Sequence, residues 1–158
     1  MKYNTASKVE AYFNEIHPDY TLSSKYHRIP MIIVDNYIEL GQLTALRFLE
    51  WVSLNPGGVI ALPTGKTPEF FIKWVQYYLA NWQKELDNGI LANIGLDKKL
   101  KPDIRSLEFF QLDEFFPIKL EHERSFTYFV KNFYIDGFGF DPKKVHLINT
   151  YDIPEKYK

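Results

Sequence analysis

Short apolar runs bounded by turn-forming residues occur at four places along the chain. Runs of this length, rich in valine, isoleucine, leucine and phenylalanine, are typical of buried β-strands. We therefore predict four strands, at Met31–Asp35, Gly58–Leu62, Ser106–Leu112 and Lys144–Asn149.

Between these runs, apolar residues recur at three- and four-residue intervals, the spacing of one face of an α-helix. One such stripe begins after Asn36, ends at the turn Asn55-Pro-Gly-Gly, and consists of Gly41, Ala45, Phe48 and Val52. A second helix is predicted from Pro68 to about Gln83, with its apolar residues at Phe71, Val75, Tyr78 and Trp82. A short leading helix is predicted at Ala6–Ile16.

The last predicted helix follows Ser125, a favourable N-cap residue. Its apolar stripe consists of Phe126, Phe129, Val130 and Phe133. The segment from Lys84 to Arg105 mixes Gly, Asn, Asp and Lys without a clear period, so we predict a loop or excursion there.

Alternation of strands with helices indicates a parallel sheet covered by helices. The predicted fold class is therefore α/β, a Rossmann-like parallel sheet with helices on both faces. A chain of 158 residues is the size of one domain.

The turn PTGKTP after the second predicted strand contains a Gly-Lys-Thr triplet. A Walker A loop needs a glycine five positions before Gly65, and that position is Ile60, which argues against an ATPase. The glycine still permits close backbone approach, and Thr64, Lys66 and Thr67 supply polar groups beside a predicted helix start. Both a phosphate-binding loop and an ordinary β-to-α turn with an exposed lysine fit this stretch.

Two adjacent carboxylates, Asp113 and Glu114, follow the third predicted strand. Ligands of parallel α/β sheets bind beyond the carboxyl ends of the strands. If the second and third strands are neighbours, these carboxylates lie at the same edge as the PTGKTP turn, which suggests acid–base chemistry on a sugar phosphate. A solvated turn, a helix cap or a Mg²⁺ ligand pair are the alternatives.

Composition narrows the classes of function. The net charge is −1 and the isoelectric point about 6.4, so no basic surface indicates nucleic acid or an anionic membrane as partner. Absence of cysteine excludes disulfides and thiolate metal sites and fits a cytoplasmic protein. Neither a secretory signal nor an apolar run of membrane-spanning length is present.

Two motifs in this order resemble the glucosamine-6-phosphate deaminase family. ALPTGKTPEFF resembles the family's phosphate loop, and QLDEFF, followed by His122, Ser125 and Phe126, resembles its carboxylate motif and the helix after it. The resemblance extends from about Ile29 to Asn149. The related 6-phosphogluconolactonases usually carry Asp-Glu-Arg and Ser-Asn at these places, so the chain is nearer the deaminases.

The resemblance implies conversion of glucosamine 6-phosphate to fructose 6-phosphate and ammonia, a step of amino-sugar metabolism. It implies Asp113 as the base, with Glu114 orienting or polarising the site. The substrate phosphate would be held by Thr64, Gly65, Lys66 and Thr67. The resemblance implies no metal and no other cofactor. The partner is a small-molecule sugar phosphate.

The chain also departs from the family pattern. The family's ring-opening histidine lies on a later glycine-rich segment, and none of His17, His27, His122 and His146 follows a glycine turn. Residues 1–158 are expected to be the N-terminal portion of a single deaminase-like domain, truncated relative to the family or completed by homo-oligomerisation. The alternatives are a 6-phosphogluconolactonase and a sugar-phosphate-binding or sensing module without turnover.

Overall fold

A computed structural model describes residues 5–17 and 31–150. The chain forms two compact units. The first combines Met1–Asn55 with Glu69–Pro102, and the second combines Pro56–Pro68 with Asp103–Lys158. Each unit is thus assembled from two separate stretches of sequence.

Four helices make up the described part of the first unit. They are α1 (Lys8–Ile16), α2 (Tyr37–Leu54), α3 (Glu69–Asn88) and α4 (Ile90–Ile94). Capping side chains mark where the first two begin, because Ser7 accepts a hydrogen bond from the Glu10 N–H and Asn36 accepts from the Ile38 and Glu39 N–H groups. The predicted helices at Ala6–Ile16 and after Asn36 are confirmed.

The predicted stripes of α2 and α3 supply much of the core of the first unit. The buried members are Gly41, Ala45, Phe48, Val52, Val75, Tyr78 and Trp82. The two helices lie close together at Gly41, where an added Cβ would lie 2.5 Å from the Phe70 Cβ and 2.9 Å from the Phe71 N. Only a residue without a Cβ fits this crossing.

A buried carboxylate joins α1 to α2. Glu50 is only 2% exposed and accepts hydrogen bonds from the Ser7 hydroxyl at 2.6 Å and the Lys8 N–H at 2.7 Å. Arg47 supplies a positive charge 3.6 Å away. Burial of this charge is therefore matched by donors and a counter-ion.

The prediction of a loop over 84–105 is wrong in its first half. Helix α3 continues to Asn88 and is followed by α4, with Leu86 and Leu91 buried. Buried Glu85 holds this turn, since its carboxylate accepts from the Ile90 N–H at 3.0 Å and the Tyr77 hydroxyl at 2.7 Å. The sequence shows no continuous helical periodicity here because Gly89 separates the apolar residues at the end of α3 from those of α4.

The predicted strand Met31–Asp35 is also wrong. Residues 31–34 have no regular secondary structure, and the Asp35 N–H donates to the Glu39 carboxylate at 2.8 Å. A strand needs a neighbouring strand for its backbone groups, and none of the described strands pairs with these residues. The segment instead leads into the cap of α2.

A parallel sheet lies in the second unit. Its described strands are β1 (Val59–Ile60), β2 (Glu108–Phe110) and β3 (Val145–His146), with β2 in the middle. Each falls inside a predicted strand but is shorter. Three parallel strands alternating with helices confirm the α/β Rossmann-like class.

Short helical segments complete the second unit. They are α5 (Phe126–Phe129), a π-helical turn (Val130–Ile135), α6 (Asp136–Phe138), and 3-10 turns at Ile104–Ser106 and Pro142–Lys144. One face of the sheet packs on this group, because the buried Phe109 ring lies 5.7 Å from Tyr134 and 5.2 Å from Phe140.

The π-helical turn displaces the predicted apolar stripe. Ser125 caps α5 as expected, and Val130 is buried. Phe133, predicted to face the core, is 42% exposed, whereas Tyr134 is fully buried. A π-helical turn adds a residue to the helical repeat, so the core position moves one residue along.

None of the described helices is long and apolar enough to cross a membrane.

We predict that Gly41→Ala lowers the free energy of unfolding by about 2–3 kcal/mol, because its new methyl group collides with the backbone of α3. Urea denaturation measures the change. Thr44→Ala, on the exposed side of the same helix, serves as control and should change stability by less than about 1 kcal/mol. Equal stability of Gly41→Ala and the wild type would contradict the close crossing.

Candidate functional site

Two polar loops of the second unit follow neighbouring strands at the same sheet edge. Ile60 of β1 pairs with Phe109 of β2, and both strands run parallel. Thr64 and Asp113 each lie four residues beyond a member of this pair. The condition for a shared site, that the two strands be neighbours, is met.

The loop at 64–67 has the backbone shape expected for close ligand approach. Gly65 has a φ of +88° and nothing within 4 Å of an added Cβ, so its conformation, and not crowding, requires glycine. Thr64 and Gly65 are half-buried, whereas Lys66 and Thr67 are exposed. Helix α3 begins at Glu69, one residue after the predicted start.

Tyr134 fixes the beginning of this loop. Its hydroxyl donates a hydrogen bond to the Pro63 carbonyl. Burial raises the pKa of Tyr134, so the hydroxyl keeps its proton and remains a donor at all ordinary pH values.

Asp113 is exposed, and the described residues leave its carboxylate unengaged. The backbone carbonyl of Asp113 accepts a hydrogen bond from the Gln111 side chain at 2.8 Å. Its carboxylate makes no hydrogen bond or ion pair with any residue that the structure describes. The backbone is therefore held while the carboxylate keeps its lone pairs for a ligand.

Glu114, the next residue, is in the opposite situation. Its carboxylate accepts from the Ser125 hydroxyl at 2.7 Å, the Phe126 N–H at 2.9 Å and the Thr127 N–H at 2.8 Å. The Phe115 N–H at 2.9 Å and a weaker contact from Gln111 at 3.4 Å complete the set. An anion at the start of a helix satisfies N–H groups that have no partner within the helix.

These hydrogen bonds keep Glu114 ionised. Burial alone would raise the pKa of Glu114. The hydrogen bonds from the Ser125 hydroxyl and three backbone N–H groups together outweigh this effect and lower the pKa from an ordinary value of 4.5 to about 2. A carboxylate held in this way is a poor proton acceptor at neutral pH and a strong structural anchor.

Sequence reasoning missed the residues that build this arrangement, which are Gln111, Ser125 as a partner of Glu114, and Thr127. A signal did exist. Ser125 is an N-cap residue, but the capping-box position three residues later is Tyr128 and not Glu or Gln. Without a carboxylate at that position, the N–H groups at the start of α5 need an acceptor from another segment, and Glu114 provides it.

Each described histidine has a partner within its own unit. His17 contacts Glu39 at 2.8 Å, and His146 contacts Glu108 at 2.9 Å while stacking on Phe110. The His122 ring accepts from the Arg124 N–H at 3.1 Å. His27 lies outside the described residues.

Acidic and histidine side chains do not cluster as metal ligands in the described ranges. No group of three or more is found there that could hold a metal ion. Exposed apolar side chains lie near the two carboxylates in sequence, since Leu112 is 60% exposed and Phe116 is 59% exposed. The Phe115 ring packs 4.7 Å from Phe126.

Curated relatives align with about three quarters of this chain. A glucosamine-6-phosphate deaminase from Clostridium tetani is 29% identical over 120 residues, which are 75% of this chain and 42% of that enzyme. Enzymes of the same name from Clostridium botulinum (27% over 119 residues, 75% of this chain and 41% of the enzyme) and Bifidobacterium longum (28% over 117 residues, 74% and 37%) are similar. The chain spans about two fifths of the length of the curated relatives it matches.

A solved structure shows the same fold. It is that of a monomeric glucosamine-6-phosphate deaminase, described as a missing link of the NagB superfamily, and it matches with a TM-score of 0.57 and 15% identity. The match covers 77% of this chain and 43% of that one. No family model matches the chain.

We predict that Glu114→Gln destabilises the chain at pH 7 by about 1–3 kcal/mol, because an amide cannot accept all of these hydrogen bonds. The depressed pKa makes the stabilisation by Glu114 complete above about pH 4.5 and lost as the pH falls towards 2. Urea denaturation at pH 7 and pH 3 should therefore show a smaller difference between variant and wild type at the lower pH.

Glu123→Gln is the matched control, since Glu123 is exposed in the same loop region. It should leave stability unchanged at both pH values. A Glu114→Gln effect that is small or that grows on acidification would refute the anchoring role.

Proposed function

We propose that the chain, which is similar to glucosamine-6-phosphate deaminases over about three quarters of its length, belongs to that family and carries the phosphate loop and the base of a deaminase site. The reaction is conversion of glucosamine 6-phosphate and water to fructose 6-phosphate and ammonia. One observation carries the proposal: a carboxylate that the described residues leave unengaged and a loop with a positive-φ glycine follow adjacent parallel strands.

The loop of residues 64–67 is proposed to bind the substrate phosphate. Positive φ at Gly65 turns the backbone so that N–H groups can approach an anion closely. Hydroxyls of Thr64 and Thr67 add donors, and exposed Lys66 adds a positive charge. Binding the phosphate fixes the sugar relative to the loop after β2, which is the positioning that proton transfer needs.

Asp113 is proposed as the base for the isomerisation. In the open-chain sugar it takes the proton from C2 and returns it to C1, while the aldehyde oxygen gains a proton and the C2 amine loses one, so that C1 becomes a CH2OH group and C2 an imine. Water then adds to C2 and ammonia leaves, which gives the ketone of fructose 6-phosphate. A free aspartate has a pKa of about 3.9 and is a weak base in water. Alignment with the C2 proton and exclusion of water make it effective, and the exposed apolar neighbours of Asp113 suit that role.

Glu114 is proposed to act through position and charge. Its hydrogen bonds occupy both oxygens and hold the loop against the start of α5. It thereby orients Asp113 and does not itself exchange protons with the sugar.

Asp113→Asn should reduce ammonia release from glucosamine 6-phosphate by about 10²–10⁴-fold, because an amide cannot take the C2 proton. The assay uses the natural polypeptide isolated from its source. Glu121→Gln, an exposed carboxylate later in the same segment, is the control and should keep wild-type turnover. Undiminished turnover in Asp113→Asn would remove Asp113 as the base.

The same preparation decides between the deaminase and the other candidates. Hydrolysis of 6-phosphogluconolactone without ammonia release would identify a lactonase. Binding of glucosamine 6-phosphate without either reaction would identify a sensing module and contradict the deaminase proposal.

Gly65→Ala should weaken binding of glucosamine 6-phosphate to this chain by about tenfold or more, because alanine resists a φ of +88°. Gly139→Ala is a matched control, since Gly139 has a φ of +82° with equally open surroundings beyond α6. Both variants carry similar backbone strain, but only the first changes the loop. Titration calorimetry measures the affinities, and equal weakening in both variants would show a general stability effect.

A further inference from the structure

A buried polar cluster lies beneath the loop that carries Asp113. Gln111 is 7% exposed, Ser125 is 1% exposed and Thr127 is fully buried. Burying polar side chains is unfavourable unless hydrogen bonds satisfy them. The cluster therefore has an organising role that simple packing does not explain.

Gln111 connects three segments through its side-chain amide. Its Nε2 donates to the Asp113 carbonyl at 2.8 Å. Its Oε1 accepts from the Thr127 hydroxyl at 2.9 Å and from the Ile148 N–H at 3.1 Å. These partners belong to the loop after β2, the start of α5 and the segment after β3. One side chain thus sets the relative positions of all three.

The orientation of this amide is determined by its partners. The Ile148 N–H can only donate, so it must face an acceptor, and the Asp113 carbonyl can only accept, so it must face a donor. Reversing the amide would place two donors together and two acceptors together. The Thr127 hydroxyl lies 2.9 Å from the Gln111 Oε1 and 3.3 Å from the Ile148 carbonyl. By donating at the shorter distance to the oxygen that also accepts from the Ile148 N–H, it reinforces the observed orientation.

We propose that Gln111 is a positioning residue that fixes Asp113 through its backbone carbonyl, and that Thr127 locks the Gln111 amide in the required orientation. The catalytic consequence rests on the proposed deaminase function. A base displaced by about 1 Å loses on the order of 10²-fold in rate. Because Asp113 has no side-chain partner among the described residues, its backbone anchor decides where the carboxylate stands.

The contacts also predict which kinetic constant changes. Among the described residues, the side-chain partners of Gln111 lie at residues 113, 114, 127 and 148, and none of them lies in the loop of residues 64–67. Disturbing Gln111 should therefore alter proton transfer more than phosphate binding, lowering kcat and leaving KM nearly unchanged.

The first experiment compares Thr127→Val with Thr127→Ser in this chain. Valine keeps the shape of threonine but removes the hydroxyl, whereas serine keeps the hydroxyl. Amide hydrogen exchange measured by NMR should become about tenfold faster at Ile148 in Thr127→Val and in Gln111→Met, and should stay near the wild-type rate in Thr127→Ser. The Glu108 N–H, which donates to the Gly58 carbonyl at 2.9 Å, is the internal reference for general destabilisation.

The second experiment measures kinetics of the same variants in the natural polypeptide. Thr127→Val and Gln111→Met should lower kcat for ammonia release by about 10–100-fold with KM within about twofold, and Thr127→Ser should restore kcat. If Gln111→Met does not fold, the two Thr127 variants still decide the matter.

The outcomes separate this inference from the proposed function. Wild-type polypeptide that releases no ammonia would contradict the deaminase function, while local exchange at Ile148 would still support the positioning role. Exchange that rises equally at Ile148 and Glu108, or a raised KM with unchanged kcat, would overturn the positioning role even in an active deaminase.

Discussion

The hydrogen bonds between the Glu114 carboxylate and the start of α5 determine the shape of the sheet edge. Helix α5 begins with N–H groups that have no partner inside the helix, and Glu114 accepts two of them together with the Ser125 hydroxyl. The loop after β2 must therefore turn back towards α5 directly after Asp113. Gln111 reinforces that turn from below. The position of the exposed carboxylate follows from the satisfaction of its buried neighbour.

Two adjacent carboxylates thus have different chemistry because their surroundings differ. Glu114 is anchored by donors, and its pKa falls to about 2. Asp113 is exposed and unengaged by the described residues, so its lone pairs are available to a ligand. Division of labour between neighbouring carboxyl groups is a recurrent device in enzymes. In this chain the anchored residue supplies geometry and its neighbour is proposed to supply basicity.

The placement of the two polar loops at one sheet edge could be predicted from the sequence, whereas parts of the surrounding secondary structure could not. Thr64–Thr67 and Asp113 could be placed at one edge because strand ends are local features and parallel strands end together. The segment Met31–Asp35 has the composition of a strand but no partner, and pairing is a tertiary property. Gly89 interrupts the helical spacing of apolar residues after residue 84, so the helical structure there could not be recognised from the sequence. The link from Glu114 to Ser125 spans eleven positions, and no periodicity reports a contact of that kind.

We propose that the edge formed by the loops after β1 and β2 binds a sugar phosphate, and NMR titration of the isotopically labelled chain with glucosamine 6-phosphate is the decisive experiment. We expect saturable chemical-shift changes concentrated at the amides of Gly65, Lys66, Thr67 and Asp113. Changes confined to other residues, or no changes at millimolar ligand, would contradict it.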